Sequence, residues 1–428
     1  PSCPVLWQIS VRQSQSLCAG EQDFILMRRA AVVESLSRLG VSSTQDSVPH
    51  VALLGSGGGQ RAAVALLGSL YQMQEEGLLD TVLYLGGVSG STWSMASLYS
   101  DPWWSSNMER AMSRLSGPDV SLDEALAWLG QRAKGEDFSL SDIWGVLTSA
   151  GIMKQLDLRR LSEDSDRNAT NPYPIYSAVE RSCKWFELTP HESGFTELGL
   201  FVNTSRLGST HLEPELQMDM VSLQGYDHLD LTHAFIFPKQ RYKKSQCLTK
   251  VNTKRNPYNI SYDHCKLFYN WSKEHIHLTD AGIMLNMPFP PFLGDKRDTD
   301  LLIALDFSAG DVFETVTLAR DYAAKVNKPF PEIDDKVLED KDWPKDCYVF
   351  QGEGKQPTIV YMPLFNRNNC KDAEEVRQRM KEFSTFQLPF NQEKISSLLE
   401  IAKDNMKNNK ETILREISKA VERRQNKR

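Results

Sequence analysis

Two stretches decide the fold: VALLGSGGGQRAAVALL at residues 51–67 and TVLYLGGVSGSTW at residues 81–93. Val51–Leu54 is a short apolar run between His50 and a glycine cluster, as a strand buried on both faces would be. From Arg61 to Glu76 small and apolar residues recur nearly all round the helical period, so that helix is expected to be buried rather than merely amphipathic. Thr81–Leu85 reads as a second buried strand, followed by Gly86-Gly87 and a helix from about Ser91. Strand, glycine turn and helix, twice over, is the pattern of an α/β fold with a parallel sheet.

Working outward, residues 22–40 read as a helix ending at Gly40. Ser121-Leu-Asp-Glu124 is a capping box, and Leu122, Ala125, Leu126 and Leu129 follow it at helical spacing. Residues 160–270 are polar and uneven and are expected to form an insertion, a cap or loops. The sheet pattern returns at Ile276–Thr279 and Leu301–Phe307, and a final helix is expected from about Gln392, with Ile395, Leu398, Leu399, Ala402 and Met406 on one stripe.

Composition narrows the function classes. The 428 residues are 40% hydrophobic and 25% charged, an ordinary globular balance. With 49 Lys and Arg against 56 Asp and Glu, the net charge of −7 supplies no basic surplus for a nucleic-acid backbone, so no nucleic-acid partner is expected. The 7 cysteines form no CxxC pair and no zinc-ligand spacing, which fits a reducing compartment and no metal site. The first residues lack a basic start and a long apolar run, no stretch approaches about 18 consecutive apolar residues, and a soluble, cytoplasmic protein is expected. Asn-x-Ser/Thr matches at Asn168, Asn203, Asn259 and Asn270 are read as chance. Residues 401–428 carry nine basic and four acidic side chains, either a basic end for anionic lipid or a solvated helix face with a free tail.

The strongest chemical signal is Gly86-Gly-Val-Ser89-Gly-Ser-Thr-Trp93, between a strand and a helix. A serine on such a turn is lifted above the sheet beside a helix N-terminus, exposing Ser89 as a nucleophile. Ser91 stands where the strict G-x-S-x-G motif has glycine. Gly55-Ser-Gly-Gly-Gly-Gln-Arg61 is the second signal; it lacks the Lys-Ser/Thr of a P-loop, and Gln60 replaces the last glycine of a dinucleotide fingerprint. What remains is a run of amides able to donate to an oxyanion, Gly58 and Gly59 foremost, with Arg61 placed to meet a phosphate or carboxylate. None of the 8 histidines is singled out as a base. Asp280, ending a strand in His-Leu-Thr-Asp-Ala-Gly, is able to take the serine proton directly, given burial or hydrogen bonding that compensates for a low carboxylate pKa. Asp306 and Asp311 are rivals, Asp306 being read as structural.

LLGSGGGQRA, YLGGVSGSTW, NPYPIYSA, WFELTPHESGF, LTDAGIMLNMPFPP and LLIALDFSAGD, in that order, resemble the catalytic domain of the cytosolic phospholipase A2 family. The similarity runs on through YMPLFN at 361–366 and the C-terminal helix, and is closest in kind to the gamma type, which has no calcium-binding C2-type module in front. The resemblance implies a three-layer α/β/α core with a mixed, largely parallel sheet and an inserted cap or lid. It implies one catalytic domain over 1–428, with the core at about 20–105 and 275–428 and the cap at about 106–274. It implies calcium-independent phospholipase A2 and lysophospholipase activity through an acyl-serine intermediate, with transacylation where a lipid replaces water. Ser89 would be the nucleophile and Asp280 the base of a Ser/Asp dyad, Gly58 and Gly59 the oxyanion hole, and Arg61 with Arg297 the contacts to substrate phosphate. No cofactor and no obligate protein partner are implied. The partners are membrane phospholipids and lysophospholipids, met by peripheral association with intracellular membranes.

Two departures stand against that pattern. The chain is much shorter between Gly208 and Ile276 than the family's cap and lid, and no cysteine stands four from its end for a prenyl anchor. Two other readings remain open from sequence: a non-catalytic lipid-binding protein on the same scaffold, and a Ser-His-Asp hydrolase.

Overall fold

The computed structural model describes residues 11–134, 138–180, 182–207, 219–225, 233–236, 275–385, 387 and 389–426. Its strands are β1 (Arg12–Gln13), β2 (Val51–Gly55), β3 (Tyr84–Gly87), β4 (Tyr173–Glu180), β5 (Lys184–Leu188), β6 (Glu192–Phe195), β7 (Leu200–Asn203), β8 (His233–Ile236), β9 (His275–Asp280), β10 (Leu301–Asp306), β11 (Tyr348–Phe350) and β12 (Thr358–Pro363). They form one sheet in the order β1-β7-β6-β5-β4-β3-β2-β10-β12-β11, with β9 against β4 and β8 against β9. The centre, β4-β3-β2-β10-β12, is parallel, and the flanks are antiparallel.

The helices are α1 (Ala19–Arg38), α2 (Gln60–Glu75), α3 (Gly90–Leu98), α4 (Met108–Leu115), α5 (Leu122–Arg132), α6 (Leu140–Val146), α7 (Met220–Gly225), α8 (Glu314–Lys325), α9 (Ala373–Glu382), α10 (Gln392–Asn408) and α11 (Lys410–Asn426). Every residue of β2, β3, β10 and β12 is buried. Since strand side chains alternate between faces, this requires cover on both sides, and the fold is a three-layer α/β/α arrangement. α2 is enclosed almost all round, as its composition requires, and packs on α10 where Gly68 brings the helix to the Leu399 carbonyl.

Residues 173–203, expected as cap or loop, instead supply four strands that extend the sheet. Their polar residues pair within the structure rather than with water: Ser193 Oγ lies 2.8 Å from Thr204 Oγ1, which donates to the Thr189 carbonyl at 2.6 Å. That is why the apolar alternation is blurred. The shortening read between Gly208 and Ile276 falls largely outside the described residues.

The basic C-terminal end is only in part a solvated face. α11 is a packed helix with Ile413, Ile417, Ala420 and Val421 buried, and several of its cations pair with acids of the chain while Arg415 and Lys419 stay half-exposed. Arg423 donates to Thr358 Oγ1 at 2.8 Å and to the Asp300 carbonyl at 3.1 Å, Arg424 binds Asp298 and Asp300, and Lys410 pairs with Glu76 at 2.7 Å. Cations held by internal acids leave less charge for a lipid surface.

Candidate active site

The register of β4 explains why Ser89 and Asp280 meet. β3 runs parallel along one edge of β4, ending with Gly87 opposite Tyr176. β5 occupies the other edge from Tyr176 to Glu180, so β9, which pairs with Ala178 to Glu180, must share the edge that β3 has just left. β9 runs antiparallel and ends with Asp280 opposite Ala178. The two strands therefore approach head to head, their ends two β4 residues apart, roughly 7 Å along the strand. Val88-Ser89 closes the remaining gap, and the Ser89 hydroxyl donates a hydrogen bond to the Asp280 carboxylate.

Ser89 caps α3 at φ 51° and ψ −128°, a region that β-carbon sterics disfavour. The turn tolerates it because its neighbours have no side chains: a Cβ on Gly57 would lie 2.8 Å from the Ser89 Cβ, and one on Gly90 would lie 2.0 Å from the Gly59 carbonyl oxygen. Asp280 caps the short helical turn that follows it and accepts from the Gly282 N–H at 2.7 Å. Burial raises its pKa to about 7, against the hydrogen bonds from Gly282 and Ser89. A carboxylate poised near neutrality is a far better proton acceptor than one near 4.

The second glycine turn stands beside this pair. Gly58 lies at φ 149° and Gly59 at φ 58°, conformations open to glycine. Among the described residues, neither amide N–H has a hydrogen-bond acceptor. The turn is pinned from behind: Ser91 Oγ donates to the Ser56 carbonyl at 2.6 Å, and the Phe307 N–H donates to Ser56 Oγ at 2.7 Å. Serine at position 91, the departure from the strict motif, is thus the residue that ties the two turns together.

Two expected phosphate contacts are corrected. Arg61 is fully buried, and its guanidinium donates to the Phe307 carbonyl at 2.8 Å, the Phe383 carbonyl at 2.6 Å and Thr385 Oγ1 at 3.4 Å. Burial lowers its pKa to about 10. It binds the turn to the connector after α9 rather than facing a ligand. Arg297 is more completely committed: its five N–H groups go to both Glu21 oxygens, both Glu187 oxygens and the Pro291 carbonyl, at 2.8–3.1 Å. An arginine with no donor left cannot also hold a phosphate.

Of the rivals, Asp306 is buried, accepts from the Ser308 N–H at 2.9 Å and from the Tyr361 hydroxyl, and so holds the end of β10. His50 bonds Arg29 at 2.9 Å and the Arg297 carbonyl at 2.8 Å, and His191 bonds the Tyr173 hydroxyl at 2.8 Å. Sequence reasoning missed Asn286, six residues after Asp280. Its side chain accepts from the Gly57 N–H at 3.1 Å and donates to Ser308 Oγ at 2.7 Å. The only sequence signal was an amide among apolar residues in the stretch LTDAGIMLNMPFPP.

A cap of helices lies near α3. α7 packs on α3 and crosses α6 backbone to backbone, where a Cβ on Gly145 would meet the Val221 carbonyl at 2.4 Å and one on Gly225 the Ser141 carbonyl at 2.2 Å. Beyond that crossing, Leu122, Leu126, Leu140, Ile143 and Leu147 are exposed.

Residues 51–115 match the model of the lysophospholipase catalytic domain family. The human cytosolic phospholipase A2 gamma is 28% identical over 514 aligned positions, covering 93% of this chain and 94% of that protein. The human zeta protein is 30% identical over 458 positions, covering 84% of this chain and 54% of that protein. Among solved structures, a human GIVD cytosolic phospholipase A2 superposes with a TM-score of 0.75 at 21% identity, over 98% of this chain and 69% of that one. Over nearly its whole length the chain is similar to cytosolic phospholipase A2 proteins, in sequence to the gamma type and in fold to the GIVD structure.

Proposed function

We propose that this chain is a calcium-independent phospholipase A2 and lysophospholipase acting through an acyl-serine intermediate. The observation that carries this reading is the hydrogen bond from the Ser89 hydroxyl to a carboxylate raised to about pH 7, beside two amides with their N–H groups open. Asp280 takes the Ser89 proton as Oγ attacks the ester carbonyl. The oxyanion that develops is met by the Gly58 and Gly59 N–H groups and by the positive ends of α2 and α3. Collapse returns the proton from Asp280 to the departing lysophospholipid, and a water deprotonated by the same carboxylate then releases the fatty acid. Every proton in this cycle moves between residues of the chain, substrate and water, so the reaction as drawn uses no calcium ion. A lipid hydroxyl in place of water gives transacylation.

The phospholipid substrate class is supported by the relatives, whose names describe phospholipases. The exposed stripe on α5 and α6 supports peripheral contact with a membrane, and the family supports a cytoplasmic setting. The core, at about 20–105 and 275–428 together with the strands of residues 173–203, is read as one catalytic domain with the cap helices inserted between its parts.

The test is product analysis by mass spectrometry on mixed-acyl phosphatidylcholine vesicles with calcium chelated, alongside labelling by a lipid fluorophosphonate. Free fatty acid, lysolipid and a probe adduct on Ser89 are expected. A folded protein giving none of these, or a D280N variant with wild-type rates, overturns the reading.

A further inference from the structure

We propose that Asn286 is a positioning residue that fixes the oxyanion turn to the segment carrying the base; this rests on the esterase reading above. Asn286 touches three elements. Its Oδ1 and its own carbonyl accept the Gly57 N–H at 3.1 and 3.3 Å, and its Nδ2 donates to Ser308 Oγ at 2.7 Å and lies 3.4 Å from the Gly57 carbonyl. The same Oδ1 would be 2.8 Å from a Cβ on Gly282, whose N–H holds Asp280.

The consequence follows from the planarity of the peptide group. The Gly57 carbonyl and the Gly58 N–H belong to one trans peptide and point in opposite directions. Ser56 Oγ, at 3.1 Å, and Asn286 Nδ2 hold that carbonyl on one side, so the Gly58 N–H is aimed to the other. Glycine at 57 and 58 leaves the plane free to turn if this hold is lost. Asn286 has to be an amide because the site needs an acceptor for Gly57 N–H and a donor for Ser308 on one short side chain; aspartate or leucine supplies at most one of these. Gly57 has to be glycine for the same reason, since a Cβ there would fall 2.2 Å from Asn286 Oδ1. The base and the oxyanion donors thus share a single frame, and their separation is set by one side chain.

Asn286 acts through Gly57 and is not expected to bind substrate, so its loss belongs in kcat. With Asn286→Ala assayed on dioleoyl phosphatidylcholine in mixed micelles, kcat is expected to fall roughly 10- to 100-fold with KM within about threefold, since misplacing one oxyanion donor is worth up to ~10²–10³. Inhibition by palmityl trifluoromethyl ketone, whose adduct carries the oxyanion, is expected to weaken in proportion to kcat/KM. Ser308→Ala frees the amide from its other partner without touching the turn, and a smaller loss in the same direction is expected even where Asn286→Ala folds poorly. Active-site titration to completion with a lipid fluorophosphonate counts folded sites. The proposal is overturned if kcat per titrated site stays within twofold of wild type in both variants, or if the loss appears in KM with ketone inhibition unchanged. Wild-type turnover and Ser89 labelling in the same series report separately on the esterase reading.

Discussion

Gly59 and Ser89 hold nearly the same backbone conformation, φ 58° and ψ −138° against φ 51° and ψ −128°, each capping the helix that follows a parallel strand. The two turns are structural counterparts, one occupied by a residue that adopts this conformation freely and one by a residue that does not. Strain of this kind costs about 1–3 kcal/mol per residue. Ser89→Gly is therefore expected to unfold at higher denaturant than Ser89→Ala, by about 1 kcal/mol, though both are inactive. Equilibrium urea unfolding of the pair checks this. Equal or reversed stabilities would mean that the Ser89 backbone is not strained.

The pattern of strand, glycine turn and helix was legible because apolar β2 and β3 and the enclosed α2 are buried on all sides, so nothing dilutes their period. Ser89, Gly58, Gly59 and Asp280 were legible because turns that admit only small residues leave a mark in the sequence. The role of Arg61 and Arg297 was not. A charged residue next to a functional motif reads the same whether it faces a ligand or a buried carbonyl, and the partners that decide it, Phe383 for one and Glu21 for the other, lie hundreds of residues away. Strands β4 to β7 were hidden for a related reason, since Glu187 and Thr204 are polar in sequence and internally paired in space.

Activity should rise with pH through about 7, because only ionised Asp280 accepts the Ser89 proton and burial has moved its pKa up to about 7. The expected kcat/KM profile is a single ascending limb that flattens above pH 8. Stability should move the other way. A carboxyl raised on folding favours the native state fully below its unfolded pKa, near 4, and loses that contribution as pH rises through about 7. At pH 8 the native protein carries the cost of a desolvated charge, so Asp280→Asn is expected to be inactive yet more stable, by on the order of 2–4 kcal/mol, with the difference vanishing at pH 4. Denaturant titrations of the two proteins at both pH values test this. A D280N variant less stable at pH 8 would contradict it.

Arg297 separates a structural from a substrate role with one substitution. Its guanidinium, Lys296, Glu21 and Glu187 form a closed set of two positive and two negative charges. Burial drives the Glu187 carboxyl upward, yet Arg297 and then Lys296 hold it at about 2. Arg297→Ala leaves Glu21 without its cation and Glu187 with Lys296 alone, and should lower unfolding free energy by about 3–5 kcal/mol. The KM of whatever fraction remains folded should be unchanged. A rise in KM with normal stability would restore a phosphate-binding role. Since the Glu187 pKa is lowered, the wild-type contribution is present above its unfolded pKa and lost as pH falls toward 2.

The exposed stripe of α5 and α6 makes the last prediction. Leu122 and Leu126 lie one turn apart on α5, and Leu140, Ile143 and Leu147 follow helical spacing along and just past α6. Apolar residues gathered this way on a surface mark a contact, and the segment 122–147 carries five acidic residues against two basic ones, so an anionic membrane gains nothing electrostatically there. Neutral phosphatidylcholine is the better match. Transferring one leucine from water is worth about 1.5–3 kcal/mol, so the double variant Leu126→Glu, Leu147→Glu should weaken binding to phosphatidylcholine vesicles at least tenfold. Stability should move by about 0.5 kcal/mol or less per substitution, because neither side chain is part of the core. Sedimentation with vesicles of increasing phosphatidylserine content should show no gain in wild-type binding. Rising affinity with anionic lipid, or an unaffected double variant, would place the membrane contact elsewhere on the molecule.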